Sequence, residues 1–282
     1  MSVTTPTLPL EHSADDASLL RQVRAERRRE SVRRLVDRVV LVSVLLGAWE
    51  LVVRVGWVHT FFVSQPTRVI GDLYAVFATG YVLPHLGITL LEALSGLVIG
   101  TLGGMAVGFG AAISVRLSDA LQPILVAFNS MPRIAIAPLF IIWLGFGPES
   151  KIALAVMVVF FVVFFNTFAG VRSVDPVLVN SIKAMGGSHL DVLRMVIVPF
   201  TVVWVFAALK TGISMALISA VVGEFVGATA GVGWIMVQAN GVLNTTRLFS
   251  MMTLLAIVGA LLFSAVRWLE DRALRWRPSA QL

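Results

Sequence analysis

The chain has 282 residues, of which 57% are hydrophobic and 13% charged, and its mean hydropathy is +0.89. Soluble domains sit nearer 45–50% apolar and about 25% charged, so this composition excludes a soluble protein and specifies an integral membrane one. The net charge of +6 is a matter of membrane orientation, because most basic residues flank apolar runs, and with no cysteine the chain has no disulfide or thiolate chemistry.

Residues 1–20 are polar and rich in Ser, Thr and Pro, which reads as a disordered start without a cleavable signal peptide. Residues 21–38 hold eight Arg and three acids and form a basic juxtamembrane helix in contact with anionic lipid. A membrane span needs about 20 mostly apolar residues. Six stretches qualify: Val39–Val58, Leu86–Ile113, Leu121–Phe146, Ile152–Val171, Phe200–Val222 and Leu248–Leu269. Between the first two, SQPTRVIGDLYAVF reads as a capped amphipathic helix outside the bilayer. The fold class is therefore all-α, a polytopic membrane protein with six transmembrane helices.

Glu50 and Arg54 are four apart in the first span and are placed to pair. The second span carries Gly96, Gly100, Gly104 and Gly108, a ridge of small residues against which another helix can pack closely; packing within the chain is favoured over a dimer seam. The third span contains Pro123, Pro132 and Pro138, so a kink or break is expected, and NSMPRIAIAP becomes a candidate pathway wall. Residues 223–247 are too glycine-rich for a straight span and read as a re-entrant or helical hairpin on the outer side.

Between the fourth and fifth spans lies a polar island, Asp175–Pro199. Asp175 followed by Pro176 is a helix start, Gly186-Gly187 a turn, and Ser188 with Asp191 a capping box for a second short helix. Leu178, Ile182 and Met185 share one face at helical spacing, ready for a partner. Lys and Arg fix the orientation. The N-terminal eight Arg, Arg116, Arg172, Lys183, Arg194, Arg267, Arg272, Arg275 and Arg277 fall on one side, against Arg54, Arg68, Lys151 and Arg247 on the other. Both termini and the island then lie in the cytoplasm. The organisation is a basic tail over 1–38, a six-helix domain over 39–270 with the elbow at 175–199, and a C-terminal tail over 271–282.

Charged and amide groups at membrane depth are costly and mark function by default. Asn129, Arg133, Asn166, Lys210 and Glu224 are the candidates for a translocation pathway, with Arg133 the leading contact for an anion; Lys210, near mid-span, should face a cavity or a carboxylate. The scattered His residues show no metal-ligand spacing, and no catalytic constellation stands out. Lys210-Thr211 lacks the glycine frame of a phosphate-binding loop, so ATP is not expected on this chain.

The run Asn180-Ser181-Ile182-Lys183-Ala184-Met185-Gly186-Gly187-Ser188, closing with Ile197-Val198-Pro199, resembles the EAA loop of permease subunits of binding-protein-dependent ABC importers. The family pattern is Glu-Ala-Ala-x-x-x-Gly, about nine residues, then Ile-x-Leu-Pro. Asn180 departs from it where an acid is usual. Met131-Pro132-Arg133-Ile134-Ala135 with Ala137-Pro138-Leu139-Phe140, Trp143–Gly147, Gly170–Asp175 and Gly223–Ala228 with Gly231-Val232-Gly233 are similar to the nitrate, taurine and alkanesulfonate branch, and the resemblance runs from about residue 40 to 270. It implies a permease that pairs with a second copy as a homodimer, with cytoplasmic ABC ATPase subunits that bind ATP and Mg, and with an extracytoplasmic solute-binding protein. The basic excess beside apolar runs argues against nucleic acid as a partner, no metal or cofactor is expected on this chain, and the resemblance places it in a bacterial inner membrane. The elbow becomes a coupling helix, with Leu178, Asn180, Ile182, Lys183, Met185, Gly186, Gly187, Ser188 and Pro199 at the ATPase contact. The substrate expected is a small anion: nitrate, a sulfonate, taurine or an organic acid. The competing reading is a stand-alone secondary transporter or channel.

Overall fold

The computed structural model describes residues 12–275, and it is mostly helical, with no strand among the described residues. The helices are α1 His12–Arg54, α2 Pro66–Ala78, α3 Val82–Ile113, α4 Val115–Ser130, α5 Ala137–Leu144, α6 Pro148–Arg172, α7 Pro176–Ala184, α8 His189–Val192, α9 Val198–Val226, α10 Val232–Gly241 and α11 Thr245–Ala273. Contacts divide the chain into one unit ending at Thr67 and a second beginning at Arg68.

In the first unit, the described tail is helical from His12, so the disorder expected through residue 20 does not extend past that point; the preceding residues lie outside the described range. Good helix formers explain this, since Ala, Leu, Glu and Arg dominate residues 17–30. The apolar stretch from Val39 to Leu51 forms the last turns of α1 and exposes most of its side chains. The expected pairing of Glu50 with Arg54 is present at 2.7 Å, and the same carboxylate accepts the backbone N–H of Thr67 at 3.1 Å and its hydroxyl at 2.9 Å.

The second unit is built on α3 lying against α6. A side chain at Gly100 would meet Val156 O and Val159 Cβ at 2.9 Å, at Gly104 Phe160 O at 2.7 Å, and at Gly108 Phe164 O at 2.8 Å; at Gly96 it would run into Ala155 Cβ. The glycine ridge therefore packs within the chain, against the backbone of α6. α9 closes this pair through Ala93, Leu97, Val159, Val163, Ala208, Ile213, Ala216 and Ala220. A second core joins α2, α3, α10 and α11 through Val76, Val82, Val232, Ile235, Met251 and Leu254. α2 buries Val69 and Val76, and its Asp72 holds Arg247 of α11 in a two-pronged ion pair at 2.8 Å.

Among the described residues, four helices are long and apolar enough to cross a membrane: Val82–Ile113, Pro148–Arg172, His189–Val226 and Thr245–Ala273. The stretch 121–146 is broken, as its prolines require. Pro132 holds Met131 extended (ψ 138°), a 3-10 turn follows at Arg133–Ile136, and α5 restarts with Pro138 in its first turn. Pro123, by contrast, is accommodated inside α4. The reading of 223–247 needs one correction: Gly223 to Val226 is the last turn of α9, not the start of a hairpin. Gly223 is where α9 crosses α6, and a Cβ there would sit 2.7 Å from Lys151 Cγ. The rest of the stretch folds as α10 between two turns.

A Gly104→Leu change forces the α3–α6 backbones apart. It should destabilise the protein by about 3 kcal/mol, the upper range for overpacking a filled interior. Thermal unfolding in detergent, with Gly47→Leu in open space as the control, measures the difference.

Candidate functional site

The elbow assembles from its own local chemistry. Asp175 Oδ1 accepts the Val177 N–H at 2.8 Å, and Pro176 opens α7 where its missing donor has no role. The helix stops at Gly186, whose φ of +83° only glycine adopts without strain. The Gly186 and Gly187 N–H groups return to Lys183 O (3.0 Å) and Ile182 O (2.9 Å). Gly187 has a separate reason: a side chain there would meet Ile182 Cγ2 at 2.6 Å. Ser188 and Asp191 then form the capping box of α8, with Asp191 Oδ2 accepting the Ser188 N–H at 2.8 Å and its hydroxyl at 2.6 Å. A π turn, Leu193–Ile197, links α8 to α9. Its cause is Pro199, which has no N–H for Met195 O and whose ring would crowd that carbonyl; Val198 N–H bonds Leu193 O instead.

Of the expected apolar face, Leu178 and Met185 (75%) are exposed, while Ile182 is half-buried against the Gly187 turn. Asn180, Lys183 and Ser188 are exposed beside them, and Pro199 is half-buried. The structure adds Val177 (66%), Leu190 and Met195 (66%) to the exposed apolar groups. Leu190 and Met195 went unread because they lie past the turn, where the helical period restarts.

The polar residues expected within the spans do not converge. Lys210 of α9 pairs with Glu270 of α11 at 2.8 and 3.1 Å, the carboxylate partner its depth called for. Asn166 returns its amide to Val162 O at 2.8 Å on its own helix. The side chains of Asn129 and Arg133 lie outside the described ones. Glu224 stands 14 residues beyond Lys210 on α9, about 21 Å away at helical rise. It is enclosed, at 1% exposure.

Glu224 belongs to a polar centre that ties four helices together. Its Oε1 accepts the Thr89 hydroxyl of α3 at 2.6 Å, and its Oε2 accepts the Gly233 N–H at the start of α10. Thr89 Oγ1 accepts the Val232 N–H at 2.8 Å, and His85 Nδ1 accepts the Gly231 N–H at 3.1 Å. The three leading N–H groups of α10 are thus capped by side chains of α3 and α9, and a carboxylate sits on the positive end of the helix. Gly231 (φ +116°) leaves room for that carboxylate, since a Cβ there would collide with it. His85 also stacks on Trp234, with ring centroids 5.2 Å apart. Glu92 of α3 and Lys151 of α6 complete the centre, at 2% and 1% exposure. Lys151 Nζ donates to Phe146 O at 2.7 Å and Gly147 O at 3.1 Å, and its charge acts on Glu92 and Glu224. Sequence reasoning placed Lys151 in an outer loop; the structure turns it inward, toward acids on two other helices.

The family model described as binding-protein-dependent transport system inner membrane component matches residues 100–275. A Bacillus subtilis (strain 168) protein named for aliphatic sulfonates transport, the permease SsuC, is 30% identical over 85% of this chain and 87% of its own length. The riboflavin transport system permease protein RibX of Chloroflexus aurantiacus is 30% identical over 85% and 90%. The taurine transport system permease protein TauC of Escherichia coli (strain K12) is 28% identical over 85% and 89%. In three dimensions the chain resembles an inward-facing structure of the MetNI methionine ABC transporter, with a TM-score of 0.60 at 20% identity over 69% of this chain and 94% of that one.

Replacing Lys210 with Met strands Glu270, which is only 18% exposed. The loss expected is about 2 kcal/mol, partly restored in a Lys210→Met, Glu270→Leu double variant, because removing both partners is milder than removing one. Unfolding midpoints of the two variants and the wild type check the cycle.

Proposed function

The chain belongs to the binding-protein-dependent transport system inner membrane components, the membrane subunits of ATP-driven importers, and from that we propose how it is energised and what it carries. ATP hydrolysis lies on a partner subunit. The elbow Asp175–Pro199 is the place where this chain receives that partner. The observation that carries the reading is a short helix with Val177, Leu178 and Met185 exposed, closed by a glycine turn at Gly186 and stiffened by caps at both ends. An exposed apolar helix with its ends fixed is suited to a groove on another protein. Asn180 keeps a hydrogen-bonding side chain there but supplies no charge. Binding of the ATPase then biases the permease between inward- and outward-facing states to the extent that it holds the two differently.

Six crossings follow if the apolar half of α1 and the broken segment α4–α5 cross the bilayer beside the four long helices. Both termini and the elbow then face the cytoplasm, the side on which Arg and Lys concentrate. Two copies of the chain line one pathway, and an external solute-binding protein delivers the substrate. The substrate class is a small oxyanion of the sulfonate or taurine kind, the chemistry named for two of the relatives.

Gly186→Trp should leave the complex assembled and ATP hydrolysis running while uptake falls at least about tenfold, since a side chain at φ +83° unfolds the turn that fixes the docking face. Uptake and hydrolysis measured together in proteoliposomes test this; normal uptake by a well-expressed variant overturns the coupling assignment. Titration calorimetry of the partner binding protein should show taurine or an alkanesulfonate bound and solutes without an anionic oxygen group excluded.

A further inference from the structure

The polar centre between α3, α6, α9 and α10 contains two carboxyl groups and one ammonium group, all shut away from solvent: Glu92 at 2%, Glu224 at 1% and Lys151 at 1% exposure. Their hydrogen bonds can be followed donor by donor. Both oxygens of Glu224 are taken, one by the Thr89 hydroxyl and one by the Gly233 N–H. The single proton of Thr89 is engaged there or at His85 O (3.2 Å), so it has none to offer Glu92. Lys151 directs its ammonium at Phe146 O and Gly147 O. Glu92 Oε2 is left without a donor, and the Glu92 carboxyl lies within hydrogen-bonding reach of Glu224.

Two ionised carboxylates cannot hydrogen-bond to each other, and an unmatched negative charge among apolar helices is strongly unfavourable. The other titratable groups around the centre do not supply the missing positive charge. His85 of α3 accepts a hydrogen bond at Nδ1 and so carries no proton there; Glu149 of α6 is an acid and exposed; α10 has no ionisable residue; Arg247 of α11 is held by Asp72. A cavity of about 330 Å³ is lined by Glu92 together with Pro84, Leu91, Phe146 and Ala228.

We propose that Glu92 is a proton-binding site: its carboxyl carries one proton and donates it to Glu224, so that the pair shares a single negative charge balanced by Lys151. The proton saturates the one free oxygen, makes the centre electrically neutral, and completes the cap on α10 from behind. It is a structural component of the outer halves of α3 and α9, separate from the ATP-driven step.

The test is infrared difference spectroscopy on the full chain in nanodiscs, assembled with its ATPase partner. Subtracting the Glu92→Gln spectrum from that of the wild type should leave the carbonyl stretch of a protonated, non-aqueous carboxylic acid. No such band means that the pair is fully ionised and overturns the proposal. A second reading uses the asymmetry between the acids. Gln at 92 donates where the proton did, so uptake should stay within about twofold of wild type. Gln at 224 turns an amide donor toward the Thr89 hydroxyl or the Gly233 N–H, and uptake should fall about tenfold or more. Equal loss in both variants overturns the proposal.

Discussion

Lipid tails are as apolar as leucine, so helices in a bilayer gain nothing by hiding apolar surface from one another and must be held by close packing and by satisfied polar groups. The approach of α3 to α6 along Gly96, Gly100, Gly104 and Gly108 is the contact on which everything else in the second unit rests. With no side chains between them, the two backbones touch over about three turns. That contact fixes where α9 can lie, and α9 in turn positions Lys210, Glu224 and the chain that leads to the elbow.

Polar groups then do what packing alone leaves undone. Each lies on a different helix from its partner: Asp72 with Arg247, Lys210 with Glu270, Thr89 with Glu224. Such pairs act as registers, because a helix that slides or rotates parts a polar group from its partner. The elbow follows the opposite rule. Its helices are short, its contacts are local, and its apolar side chains point away from the rest of the protein. Packed spans and an elbow whose apolar side chains turn outward are therefore built on two different principles.

What could be read from the sequence was what depends on neighbours in sequence. The caps at Asp175 and Ser188, the turn at Gly186, the break after Pro132 and the glycine ridge all rest on spacings of a few residues, and the helices follow them. What could not be read was pairing across the chain. The N-terminus of α10 is capped by residues more than 140 positions away on α3, and nothing in Gly231-Val232-Gly233 announces this. Lys151 looked like a loop cation because the apolar run begins only at Ile152; in fact Pro148 begins the helix and Lys151 is already in its first turn, facing inward. Gly223 looked like a breaker because its neighbour on α6 was invisible.

The π turn at Leu193–Ile197 sets the direction in which the elbow faces. A π turn holds one residue more than the α-helix around it, and one residue corresponds to about 100° of azimuth. The elbow is therefore out of phase with α9 by more than a quarter of a revolution. The face that the elbow presents is thus rotated away from the line of α9, whose other end is held by the cap of α10.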